Sequence, residues 1–170
     1  MVKVHFKLTS HMLEDMFTDL RRPHSFAEER AAFIGCKVSQ SDSGLIVLAH
    51  TYIPLQDDWY IDDPRFGCTF GTEAMHTAMQ FSLTNSSGIF HVHLHEHIGL
   101  PSFSRTDFRE YKRFVPDFWN VQPNMPHGAI VFSEDSALGL CWHPKYKHPI
   151  IIDRLTVVGS PMKFLGPIYA

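Results

Sequence analysis

The chain has 170 residues, of which 44% are hydrophobic, and a formal charge of -3 from 15 basic and 18 acidic residues. That is enough apolar material for one packed core and argues against disorder, while so mild a charge argues against a nucleic-acid surface. No apolar run reaches the roughly 20 residues of a membrane helix, and MVKVHFKLTS at the start lacks the apolar stretch of a signal peptide. The three cysteines, Cys36, Cys68 and Cys141, are too few and too scattered for a disulfide framework or a CxxC zinc site. A single domain over 1–170 in the reducing cytoplasm is expected.

In chain order, Val2 to Lys7 alternates apolar and polar residues and predicts a strand. Ser10 to Leu20 predicts a helix, with Ser10 as its cap, Leu13, Met16, Phe17 and Leu20 on one face, and Pro23 as a stop. A strand from about Glu29 to Val38, a turn at 40–44 and a strand from Leu45 to Ile53 predict a hairpin. Residues 54–70 look like a loop, and Thr72 to Leu83 predicts a helix burying Ala74, Met75, Ala78 and Met79. Ile89 to about Glu96 predicts a strand. Ser104 caps a helix that runs to about Val115, with Phe108, Tyr111 and Val115 on one face and Pro116 as its end. A hairpin over Ala129–Phe132 and Leu138–Trp142 and a late strand over Ile150–Val158 complete a mixed α/β domain, a central sheet flanked by helices.

The unusual feature is histidine. Twelve occur, and His91, His93, His95 and His97 alternate through FHVHLHEH. Side chains at i and i+2 of a strand share a face, so two of these imidazoles can reach one ion. Catalytic zinc takes about three protein ligands and keeps a position open. Asp107, a short turn further on, can supply a carboxylate, and Ser104 lies one helical turn before it. The competing reading is an exposed histidine face on an edge strand. HExxH does not fit, because position 99 is Gly. A hydrolytic site also needs a base, and Glu28 and Glu29 open the second predicted strand.

Together these residues resemble the JAMM/MPN family of zinc metalloisopeptidases, the JAB-domain proteases. The matching residues are Glu29, His93-Leu94-His95 and Ser104-Arg105-Thr106-Asp107, in the family's order and with a helix intervening. RPHSFAEERAAF and HVHLHEHIGLPSFS look closest to bacterial JAB proteins encoded beside ubiquitin-like, E1-like and E2-like genes. The resemblance implies an MPN/JAB-like fold and a Zn²⁺ cofactor held by His93, His95 and Asp107. It implies that Glu29 takes a proton from the attacking water and passes it to the leaving amine, while Ser104 hydrogen-bonds the oxyanion. The implied substrate is a ubiquitin-like protein cut after its C-terminal tail, with E1-like and E2-like proteins as operon partners and neither nucleic acid nor membrane involved. A non-catalytic MPN-like scaffold and a RadC-like protein are the other readings.

Two departures leave alternatives open. Eight residues separate His95 from Ser104 and six separate His97 from it, on either side of the family's usual spacing, so His95 with His97 is a second ligand pair. Ala32 stands where the family has Gly three residues after the Glu, and counting from Glu28 instead brings Gly35 into register with a later family glycine. Trp59 and Tyr60 are either contacts for a peptide tail or apolar anchors for their loop. His127, His143 and His148 have no partner spacing, and Cys36 looks like a buried small residue.

Overall fold

The structure, a computed structural model, describes residues 2–166 except Phe26 and Ser43, with Ser41 described by its backbone alone. β1 (Val4–Thr9) buries Val4, Phe6 and Leu8, as its alternation requires. α1 (Ser10–Leu20) follows directly. Its cap is Thr9 and not Ser10: Thr9 keeps an extended backbone and its hydroxyl accepts from Met12 N at 3.1 Å, whereas Ser10 is already helical. Met16 and Leu20 are buried, with Leu13 and Phe17 beside them.

β2 (Ala31–Ser41) and β3 (Gly44–Pro54) form the expected hairpin, its tip including Ser43, which lies outside the described residues. β2 starts later than predicted. Glu28 and Glu29 precede it, because their amides donate to Gly67 O at 2.8 and 3.1 Å and not to a neighbouring strand. The segment between β3 and the next helix is not structureless. Asp57–Trp59 form a 3-10 turn, and Tyr60 bridges to Phe70. Tyr60 is an anchor: its ring is buried, and its hydroxyl accepts from Ala31 N at 3.0 Å and lies 3.1 Å from Ala31 O.

α2 (Thr72–Asn85) runs two residues past its predicted end and closes on Ser86, which is left-handed with φ 46°. Ala74 and Ala78 are buried, Met75 and Met79 partly so, and Ser82 extends the face by donating to Ser87 O at 2.7 Å. Gly35 of β2 lets the Phe81 ring lie close on the sheet: a Cβ would come within 2.3 Å of that ring and push it aside. β4 (Gly88–Leu94) is buried along its whole length and stops before His95 and Glu96, which were expected inside it.

α3 (Arg105–Val121) continues through Pro116, where a stop was expected. Pro116 and Lys112, whose carbonyl loses its usual donor, both lie on the exposed side. Water can therefore satisfy that carbonyl, while burial of Tyr111, Phe114, Val115 and Phe118 holds the helix together. Phe108 is 41% exposed and not part of that face, because it sits in the first turns and rests on Phe103, with ring centroids 5.7 Å apart.

β5 (His127–Phe132) and β6 (Ala137–Trp142) form the predicted hairpin. The single late strand is in fact two, β7 (Ile150–Ile151) and β8 (Arg154–Val158), followed by β9 (Lys163–Leu165). Asp153 makes the break: its carboxylate accepts from Val4 N at 2.6 Å.

Among the described residues, nine strands join one sheet in the order β7-β6-β5-β4-β2-β3-β1-β8-β9, curled as a half-barrel. β7 and β8 lie far apart in that order but only two residues apart in the chain. The crossing is clasped on both sides, by Ile152 N on Gly139 O and Asp153 N on Val4 O, each at 2.9 Å. One sheet face packs with α1 around Phe6, Phe90, Val92 and Ile130. The other packs under α2 and α3 around Phe33, Ile89, Tyr111 and Phe118. No helix among the described residues is long and apolar enough to cross a membrane.

His127, which carried no sequence signal, is structural. Its Nδ1 accepts from Ile89 N at 3.0 Å and its Nε2 lies 3.3 Å from Gln122 O, tying the end of α3 to β4. Burial lowers its pKa to about 4. The unfolded chain therefore binds a proton here below pH ~6.5 that the folded chain does not bind until about pH 4. Stability from this group is present above pH ~6.5 and is lost as pH falls toward 4, by an amount on the order of 3 kcal/mol. Urea melts of the metal-free protein between pH 4 and 7 are expected to show that fall, and His127→Gln a shallower one.

Candidate metal centre

β4 presents alternate side chains to the α3 side of the sheet, and His91 and His93 are on that side. Register sets their neighbours: Ala31 on β2 and Val131 on β5 flank His93, while Phe33 and Ala129 flank His91. His95 lies just beyond the strand, but its amide still donates to Phe132 O at 2.9 Å, which keeps it in line with β5. Its ring is therefore 5.0 Å from that of His93. The chain then turns, with His97 N donating to His95 O at 2.8 Å, and the His97 ring is exposed with Nδ1 3.1 Å from Ile98 O.

Glu29 reaches the same place from the segment before β2. Glu29, His93 and His95 each offer one donor atom, and these atoms lie within 4.8 Å of one another. His95 Nε2 is 3.7 Å from Glu29 Oε1. Glu28 is exposed and lines a separate open cleft of about 440 Å³ with His24, Asp62 and Phe66. Of the two open choices in the sequence, the coordinates bring together His93 with His95, and Glu29.

Asp107 and Ser104 are nearby but engaged with each other. Ser104 N donates to Asp107 Oδ2 at 2.6 Å, and Asp107 N donates to Ser104 Oγ at 3.1 Å, a reciprocal cap on α3. Asp107 lies outside the group of three, yet its charge acts on both His93 and Glu29.

Burial dominates the electrostatics. It raises the pKa of Glu29, an effect partly offset by His95 and reinforced by Asp107 and Glu28. It lowers that of His93 to about 4, with Asp107 opposing, so His93 is a neutral imidazole at pH 7. Both ring nitrogens of His93 are buried without a hydrogen-bond partner. An imidazole so placed costs about 1–3 kcal/mol unless something binds it. A bound cation would satisfy the nitrogen that carries no proton, and two imidazoles with a carboxylate make a donor set that zinc takes.

Two further residues border the site without a sequence signal. The Cys68 thiol is pushed up to about 12 by burial and then by the Glu29 and Asp107 carboxylates. Tyr111, on the buried face of α3, has its hydroxyl without a partner and within the field of Asp107, Glu29 and Cys68. Tyr111 reads in sequence as one more apolar residue on a helix face, and Cys68 sits in a segment without periodicity. No family model matches this chain, and no curated protein does.

Proposed function

We propose that the chain is a zinc hydrolase of JAMM type that cuts a peptide or isopeptide bond after the C-terminal tail of a ubiquitin-like protein. The observation that carries this reading is the convergence of Glu29, His93 and His95 around a buried, unpartnered imidazole. The order Glu, His-x-His, Ser-x-x-Asp supplies the family resemblance and, through it, the substrate class.

When bound, zinc supplies Lewis acidity, lowering the pKa of water and polarising a carbonyl. His93 and His95 would hold it from one extended segment. Asp107 would complete the set: Oδ2 serves the helix cap, and among the described residues Oδ1 takes no hydrogen bond. Glu29, with a raised affinity for protons, accepts one from the attacking water and returns it to the leaving amine. Ser104 Oγ accepts from Asp107 N, and its own hydroxyl proton is left to donate to the developing oxyanion. E1-like and E2-like proteins are the partners this reading expects, in the cytoplasm.

Purified protein is expected to carry about one zinc per chain. It should cleave a ubiquitin-like fusion, lose that activity to a chelator and regain it with added zinc. Metal-free protein that neither takes up zinc nor cleaves would end the proposal. One observation favours the scaffold reading, namely that Asp107 and Ser104 are already committed to capping α3. A His93→Ala, Asp107→Ala double variant that still supports the protein's cellular role would select it.

A further inference from the structure

Behind the donor group the sheet side of α3 holds a second polar feature. Four buried side-chain atoms among the described residues have no hydrogen-bond partner: His91 Nδ1, His93 Nδ1, His93 Nε2 and Tyr111 Oη. All belong to three rings in one row. The His91 centroid is 5.7 Å from that of His93 and 5.6 Å from that of Tyr111. Otherwise the walls around His91 are aromatic carbon, from Phe33, Phe70 and Phe114, and offer no strong acceptor. The three residues are 7%, 3% and 1% exposed, so bulk water does not satisfy these atoms.

A histidine that binds a metal through one nitrogen carries its proton on the other. Metal sites give that N–H an acceptor, which fixes the ring's tautomer and orientation, and losing such a partner typically costs about 10–100-fold in affinity. His93 has no protein acceptor. Buried polar atoms with no direct partner are commonly joined by an internal water that makes about three hydrogen bonds. His93, His91 Nδ1 and Tyr111 Oη are three such partners, carried by neighbouring rings whose centroids follow one another at 5.7 and 5.6 Å.

We propose that Tyr111 is a positioning residue for the metal centre, acting with His91 through one buried water that receives the N–H of His93 facing away from the ion. The inference rests on the zinc reading above and extends it to residues that touch neither metal nor substrate. Tyr111 Oη, able both to donate and to accept, orients the water, and His91 Nδ1 takes its second proton. The row runs from the protein interior to the metal, so the tautomer of His93 is set from behind the site.

The test is Tyr111→Phe, which removes one oxygen and keeps the ring. Zinc affinity is measured by chelator competition, with cobalt(II) spectra as a second readout and the melting temperature of the metal-free protein as a control. The expected result is a zinc affinity about 10–100-fold weaker, a shifted cobalt spectrum and a metal-free melting temperature that is unchanged or higher. Unchanged affinity and spectrum in Tyr111→Phe, with wild type binding zinc, overturn the proposal and leave the zinc reading intact. A weaker affinity accompanied by a lower metal-free melting temperature also overturns it, since that is what a merely structural tyrosine would do. Wild-type protein that binds no zinc removes both readings.

Discussion

Glu29→Gln is expected to keep the metal and lose hydrolysis by roughly 10²–10⁴-fold, the contribution of a positioned general base. Gln matches Glu in shape and fills the same half-buried place beside His95, but its amide cannot take a proton from water. Metal analysis and cleavage rates on the same preparation check both halves of this expectation. The result is informative in either direction, because Glu29 lies within the group of three donor atoms. If Glu29→Gln loses zinc together with activity, Glu29 is a ligand and the role of base falls elsewhere. If Glu29→Gln stays active, no proton passes through this residue.

The second large effect separates the histidines. His93→Ala is expected to reduce bound zinc to a trace, a loss beyond the roughly 100-fold that an outer partner is worth. His97→Ala is expected to leave the metal content unchanged, since the chain has turned before it and its ring is exposed. Dialysis against buffered zinc followed by metal analysis reads both variants. A His97→Ala protein that loses its metal would move the ligand pair one step along the chain. It would also require the segment after β4 to straighten.

Strand period and turn residues carry part of this architecture in the sequence itself. The histidine row was legible because strand period alone puts alternate rings on one face, and β4 does so for His91 and His93. The hairpins were legible because apolar runs on either side of turn residues leave few other pairings. What failed was mostly local in a different sense. Thr9 displaced Ser10 as a cap because either hydroxyl suits the role, and backbone geometry alone decides between them. Pro116 did not stop α3, since the aromatic face of that helix outweighs one missing hydrogen bond. The late strand divided at Asp153 because a partner 149 residues away claims its carboxylate, and no local pattern carries that information. At the site, Glu29 and Asp107 were found through the family pattern. Tyr111 and Cys68 were not, since only the tertiary packing brings them there.

The clasp at Ile152 and Asp153 also bears on how the molecule is made. β1 lies between β3 and β8 and is parallel to both, so one of its two edges has no partner until Arg154–Val158 has been made. On the ribosome, the first strand therefore waits with an open edge while the histidine-bearing strands assemble behind it. Contacts so distant in sequence slow the final step, and an unfilled edge is where nascent chains join wrongly to one another. Closure by β8 then ends that exposure and completes the apolar layer under α1 in the same event, which makes the interval between β1 and β8 the vulnerable one for this fold.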